Sequence, residues 1–206
     1  LVKLTGQPAS NVQLTVTSAD TGEVTVSPAT LTFTTENFDT AQTVTVTGVD
    51  DNLIDGSINT AVTISVTDGS SDNTYDSLAD QVVTVTTTDD DGAGFSISKT
   101  TSTVTEAGSQ DTFTVVLEVK PDSNVVFNVI SSDITEVTVS PSPLTFTPAN
   151  WNTEQTVTVT GQNDDIIDGT ISTTITISVD DANSDDNFDG VSDQTVTVTT
   201  TDDDAG

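Results

Sequence analysis

Thirty-three of the 206 residues are Asp or Glu, and only Lys3, Lys99 and Lys120 are cationic, which gives a formal net charge of −30. The acids fall in clusters: DDNLID at 50–55, DDD at 89–91, NDDIID at 163–168 and DDD at 202–204. Grouped carboxylates suit two kinds of chemistry. They can hold a hard cation, or a pair can serve as acid and base in glycoside hydrolysis. Composition closes most other routes. With no Cys and no His there is no disulfide, no zinc–thiolate site, no His ligand and no His-based triad. Three cations cannot release phosphate counterions, so nucleic acid is not an expected partner, and an anionic membrane would repel the chain. No apolar run approaches the ~18–20 residues of a membrane helix. The opening LVKLTGQPAS is not a signal peptide, so any export signal is expected outside this sequence.

The clusters recur because the chain repeats itself. TVSPATLTFTTENFDTAQTVTVTGVDDNLIDG (25–56) returns as TVSPSPLTFTPANWNTEQTVTVTGQNDDIIDG (138–169). The offset of 113 residues holds without a gap from Leu1/Thr114 to Ala93/Gly206, and 53 of those 93 pairs are identical. Two duplicated domains are expected, at 1–91 and 92–206. The segment 94–113 opens the second repeat and has no counterpart in the first. The first repeat is therefore expected to lack its opening strand, as if cut from a longer array.

Period-two alternation and β-branched residues mark the strands that must position the acids. In the second repeat they are expected at 95–105, 112–119, 124–131, 136–147, 154–161, 171–179 and 194–201. The first repeat should carry 1–6, 11–18, 23–34, 41–48, 58–66 and 81–88. Pro28, Pro141 and Pro143 should bend their strand or place it at an edge. Seven short strands with regular turns predict an all-β fold of two tandem immunoglobulin-like, seven-stranded β-sandwiches, the first without its opening strand. In TVTVT (156–160) Val should face the core and Thr the water. Phe38 and Trp151, at equivalent places, read as structural plugs rather than a sugar platform.

An up-and-down strand order brings the acids to one pole. Glu106, Asp133, Asn163, Asp164, Asp165, Asp168, Asp202, Asp203 and Asp204 meet there in the second repeat. Asp20, Asp50, Asp51, Asp55, Asp89, Asp90 and Asp91 meet there in the first. Two carboxylates 4 Å apart repel by about 1 kcal/mol even in water. Six or seven on one pole need an offset, and Ca²⁺, with 6–8 oxygen ligands, fits better than octahedral Mg²⁺. The competing reading is a merely solubilising acidic surface. Recurrence of the acids in both copies, while neighbours such as Ala41/Glu154 vary, favours metal. A second cluster, at 68–80 and 181–193, contains Asp181, Asn183 and Asp185 at calcium-loop spacing. It lacks the following Gly and the distal Glu, so a solvated loop pinned by Tyr75 or Phe188 is expected instead.

On these residues the chain resembles the Calx-β domain, in the tandem form found in very long bacterial surface adhesins. The features are Glu after the first strand (VTEAGS), two acids then an acid four further on (DDNLID, NDDIID), and DDD after the last strand. The resemblance runs along nearly the whole chain. It implies Ca²⁺ held by Asp50, Asp51, Asp55 and Asp89–Asp91 in the first repeat. In the second it implies Glu106, Asn163, Asp164, Asp168 and Asp202–Asp204, with Asp20 and Asp133 matching a further family acid. Asn163, where the first repeat has Asp50, removes one charge from that set.

The expected role is structural: a spacer of a repetitive, extracellular bacterial surface adhesin. Ca²⁺ at the linker DDDGAG (89–94) would turn a mobile, self-repelling joint into a rigid one. The partners would be neighbouring repeats of the same polypeptide, with a distal ligand bound elsewhere, no membrane insertion, and the fragment itself monomeric. The alternative is a glycan- or ice-binding module using the Thr-rich strand faces. An enzyme is not expected, since nothing suggests a substrate cleft. Nor is a Lys–Asn isopeptide bond, since no Lys recurs between the copies.

Overall fold

A computed structural model describes residues 1–204. Among them every element is a strand or a short 3-10 turn. The chain forms two compact units, one of Leu1–Asp51 with Asp55–Asp89, the other of Asn52–Ile54 with the chain from Asp90 on.

The first unit contains β1 (Val12–Ser18), β2 (Val24–Ser27), β3 (Thr30–Phe33), β4 (Thr45–Gly48), β5 (Ile58–Val66) and β6 (Gln81–Thr87). One sheet runs β3-β1-β5-β6, and β2 pairs with β4 opposite it. Val12, Leu14, Val16, Val24, Leu31, Phe33 and Val62 form the core between them. The expected strand at 1–6 reduces to a single bridge, Val2 to Gln42. The repeat offset explains this. The equivalent ladder in the second unit joins 110–115 to 155–160, and only its last two pairs, Thr114 with Thr156 and Val115 with Gln155, map onto residues of the first repeat, 1 with 43 and 2 with 42.

The second unit contains β7 (Phe95–Ile97), β8 (Thr101–Thr105), β9 (Gln110–Leu117), β10 (Val125–Ser131), β11 (Val137–Ser140), β12 (Leu144–Phe146), β13 (Gln155–Gly161), β14 (Ile171–Val179) and β15 (Gln194–Thr201). Its sheets run β12-β10-β14-β15-β8 and β11-β13-β9-β7, an immunoglobulin-like sandwich. Val157 and Val159 are fully buried, Thr156 is exposed, and Thr158 and Thr160 are half-buried on the same outer side. Phe127 is packed between Phe95 at 4.6 Å and Phe146 at 5.9 Å, the latter edge-on. Each such pair adds about 0.5–1.5 kcal/mol beyond area burial. Trp151 and Phe38 pack half-buried against their cores. Each lends its carbonyl to a neighbouring backbone amide, of Leu117 in β9 and of Leu4, which fits the plug reading.

Three expected strands are each divided between sheets, the stretch 23–34 into β2 and β3. The stretch 136–147 splits into β11, which pairs with β13, and β12, which pairs with β10. Pro141 and Pro143 lie at the break, where a missing N–H ends a ladder. The stretch 95–105 splits into β7, antiparallel to β9, and β8, parallel to β15. It crosses between sheets at 98–100, where Lys99 pairs with Asp111.

The loops at 68–80 and 181–193 have a structural use for their acids. Asp185, 5% exposed, accepts from the amides of Asp122, Ser123 and Asn187 at 2.7–3.0 Å. Asp72 does the same for Ala9, Ser10 and Thr74. The Tyr75 hydroxyl donates to Gly6 O at 2.6 Å, and Phe188 is fully buried. The carboxylate at the calcium-like spacing is therefore taken by backbone amides.

Bonds of this kind tie part of the stability of the fold to pH. The amide and hydroxyl of Thr74, then the Ala9 amide, hold Asp72 down at about 2. Lys99, then the Ser102 hydroxyl, hold Asp111 at about 2. The unfolded value is about 3.9, so the unfolded chain binds more protons between the two. Stability from these groups is complete above pH 4 and is lost as pH falls through 2. The melting temperature of the protein in chelator should drop over that window. Asp72→Asn should flatten the drop, and an unchanged acid limb in that variant would refute the assignment.

Candidate metal centre

Parallel pairing of β8 with β15 builds the site. Thr105 and Thr201 are register partners, so the next residues, Glu106 and Asp202, leave the sheet side by side. The Glu106 amide donates to Thr201 O at 3.1 Å. Asp202 then folds its own tail: Oδ1 accepts from the Asp204 amide at 2.7 Å and Oδ2 from Gly169 at 2.9 Å. Gly169 has a φ of 77°, a left-handed conformation that favours glycine. Glu136 immediately precedes β11, and its carbonyl accepts the Gln162 amide at 2.8 Å. The ends of four strands thus converge at one pole.

Five carboxylates meet there in two overlapping groups. Glu106, Asp202 and Asp204 offer oxygens all within 4.8 Å of one another, and so do Glu106, Glu136 and Asp168. Glu106 belongs to both groups and is 1% exposed. Neither of its oxygens has a hydrogen-bond partner among the described residues, and neither does Oε2 of Glu136 nor Oδ2 of Asp204. Buried polar atoms are nearly always paired, and an isolated buried carboxylate is strongly unfavourable. Burial, then the charges of Asp202, Asp168, Asp164 and Glu136, push the Glu106 carboxyl up. Burial followed by Asp168 raises Glu136, and burial followed by Asp202 raises Asp204. Asp202 moves the other way, held low by the Asp204 and Gly169 amides. The arrangement is a set of oxygen donors around one buried, unpaired carboxylate, which suits a hard, oxygen-seeking cation.

The first unit keeps part of this arrangement. Glu23, Asp51 and Asp55 bring oxygens within 4.8 Å of one another. Gly56, with a φ of 74°, donates to Asp89 Oδ2 at 2.8 Å, as Gly169 does to Asp202. The Thr87 hydroxyl donates to Glu23 at 2.6 Å. Burial, then Glu23, Asp51 and Asp89, raise the Asp55 carboxyl.

Of the expected ligands, the structure thus groups Asp51 and Asp55 in the first unit and Glu106, Asp168, Asp202 and Asp204 in the second. Asp89 and Asp164 act on these groups through their charge. Asp50, Asp90, Asp91 and Asp203 lie outside the groupings. The side chain of Asn163 donates to Asp164 O at 3.2 Å. Asp20 and Asp133 close local turns instead. Asp20 accepts from the Gly22 amide, and Asp133 accepts from the amide and hydroxyl of Thr135, which hold it low. Sequence reasoning missed Glu23 and Glu136. Both stand three residues past that turn acid, in DTGE and DITE, one repeat apart, and that recurrence was the available signal.

No family model matches the chain, and no curated protein matches it. Among solved structures, domains 4 and 5 of the S-layer protein SbsC are similar over 91% of this chain and 70% of theirs, at 19% identity and a TM-score of 0.43. The apo form of the Calx CBD1 domain is similar over 55% of this chain and all of its own length, at 18% identity and a TM-score of 0.42. WR4, an MSP family member from C. elegans, is similar over 52% of this chain and 96% of its own, at 12% identity and a TM-score of 0.37. Likenesses at this level assign no role to any residue of this chain.

Proposed function

We propose that the protein is a calcium-dependent structural module, a spacer of a repetitive extracellular surface adhesin, with no catalytic role. The observation that carries the calcium reading is Glu106, a buried carboxylate with both oxygens unpaired and four further acids grouped around it. Glu106, Glu136, Asp168, Asp202 and Asp204 would hold the ion. When bound, Ca²⁺ supplies the positive charge that these crowded carboxylates lack. The chain's own residues supply the frame: β8 and β15 aim Glu106 and Asp202, and the amides of Asp204 and Gly169 fix the Asp202 oxygens. The acids at 202–204 directly follow β15, and those at 89–91 stand one residue past β6. Ligation there would order the exit of the chain from each module and stiffen a repeating array. The surface setting rests on the repeat pattern and its resemblance to adhesin repeats.

The test is small-angle scattering and a thermal melt of the 206-residue chain, in chelator and in millimolar Ca²⁺. A higher melting temperature together with a longer, narrower particle in Ca²⁺ is the expected result. If neither quantity responds, the acids are surface charge and the spacer reading fails with them.

A further inference from the structure

Two buried hydroxyls in the second unit have no partner and no role in the centre described above. Among its described residues, every buried side-chain oxygen without a hydrogen bond belongs to Glu106, Glu136, Thr173, Thr200 or Asp204. Three of these are carboxylates, which only accept when ionised, and two are hydroxyls, which can donate. Thr200 is fully buried in β15, two residues before Asp202, and Thr173 is buried in β14. Hydroxyls at such depth are nearly always paired.

The first unit shows a bond that the second lacks. By the repeat offset Thr200 corresponds to Thr87 and Glu136 to Glu23. The backbone is held alike at both places. The Gln162 amide donates to Glu136 O at 2.8 Å, and the Val49 amide donates to Glu23 O at 2.9 Å. Thr200 pairs with Ile171, and Thr87 with the equivalent Ile58. The side chains differ. The Thr87 hydroxyl donates to Glu23 Oε2 at 2.6 Å and lies 3.4 Å from Ile58 O. The Thr200 hydroxyl makes neither bond, and Glu136 Oε2 is equally unpaired. Accepting from the threonine does not take the glutamate out of its acidic group. Glu23 does so and still stands with Asp51 and Asp55, as Glu136 stands with Glu106 and Asp168. Thr173 has no such precedent, because its counterpart Thr60 is also buried and also unpaired.

We propose that Thr200 is a positioning residue of the metal centre. With a cation bound, its hydroxyl donates to Glu136 Oε2, as that of Thr87 donates to Glu23. One oxygen of Glu136 is then tied to the protein, and the other is left for the ion. Only the side chain has to turn, since the Gln162 amide already fixes the backbone of Glu136. A hydroxyl bonded to a carboxylate makes one of the stronger hydrogen bonds, so the contact orients the ligand as well as satisfying two orphaned atoms. This role rests on the calcium reading.

The experiment titrates Ca²⁺ calorimetrically into the 206-residue protein and its variants, and melts each of them in chelator. The site in question is the one that Glu106→Gln removes. Thr200→Val should weaken it about tenfold, the loss expected for a bond to a charged group. Thr200→Ser, which keeps the hydroxyl, should restore the parent affinity, and Thr173→Val should leave it unchanged. In a Glu136→Gln background Thr200→Val should weaken binding no further, because the hydroxyl acts through that carboxylate. In chelator Thr200→Val should melt no lower than the parent, since only an unpaired hydroxyl is lost. Thr87→Val should melt lower, since its bond stands without the ion. Parent affinity in Thr200→Val, or an equal loss in Thr173→Val, overturns the proposal and leaves the calcium reading standing. A loss that persists in the Glu136→Gln background makes the hydroxyl a ligand in its own right and overturns positioning. A lower melting temperature for Thr200→Val in chelator overturns the coupling of the bond to the ion. If the parent has no site that Glu106→Gln removes, the calcium reading itself fails and this role falls with it.

Discussion

Glu106→Gln is expected to reverse the order of two melting curves. In chelator the variant should melt above the parent, because the substitution removes a buried charge that Asp202, Asp168, Asp164 and Glu136 all oppose. The new amide also brings donors, which the orphaned oxygens of Glu136 and Asp204 can accept. In Ca²⁺ the order should invert. Extracellular calcium modules bind at about 10⁻⁴–10⁻³ M. At about 10 mM Ca²⁺ one such site contributes about 1.4–2.7 kcal/mol to the folded state. For a unit of this size that is on the order of 5–10 °C in melting temperature. The variant should lose most of this gain in its second unit, because Glu106 belongs to both ligand groups. Calorimetry of parent and variant, each with and without Ca²⁺, decides the matter. Equal calcium shifts in the two proteins would remove Glu106 from the site. A variant that melts below the parent in chelator would show that the carboxylate is held by something other than a cation.

The sandwich was legible because its causes are local. Alternation of Val and Thr in TVTVT puts Val157 and Val159 in the core, and prolines mark where the 136–147 stretch changes sheets. The crossing at 98–100 carries no such mark. Ser98, Lys99 and Thr100 contain no proline or glycine, and only the opposite partners of β7 and β8 reveal it. Much of the site was legible for a similar reason, since the acids directly after β8 and β15 recur in clusters. What escaped was the choice among neighbours. Asp133 and Glu136 stand three residues apart in one turn. The first satisfies itself on Thr135, which leaves the second to face the pole. Composition weights the two alike, and only the turn geometry separates them. The spacing at 181–185 resembles a calcium loop, but the missing Gly and distal Glu argue for a pinned loop, and Asp185 is taken by three amides of its own domain.

Gly161→Ala should be among the most damaging single-methyl additions in the second unit, and Gly48→Ala its harmless twin. The two glycines occupy the same place in the repeat and end equivalent strands, β13 and β4. Neither has a positive φ, so conformational freedom does not distinguish them. Space does. The added Cβ at 161 would lie 2.2 Å from Thr105 O and 2.9 Å from Thr105 C, backbone atoms that cannot rotate away. β8 must shift, and Glu106, its next residue, must shift with it. Overpacking of this kind costs about 1–3 kcal/mol, or on the order of 5–15 °C for a domain near 100 residues. Because the displaced residue belongs to both carboxylate groups, the calcium gain expected from the proposed site should shrink together with the intrinsic stability. At 48 the same methyl makes an ordinary contact with Thr87 Cγ2 at 3.6 Å, so the melting temperature should move by no more than about 2 °C. Equal melting shifts for the two variants would mean that β8 does not lie against Gly161. The position of Glu106 in the candidate site would then lose its structural support.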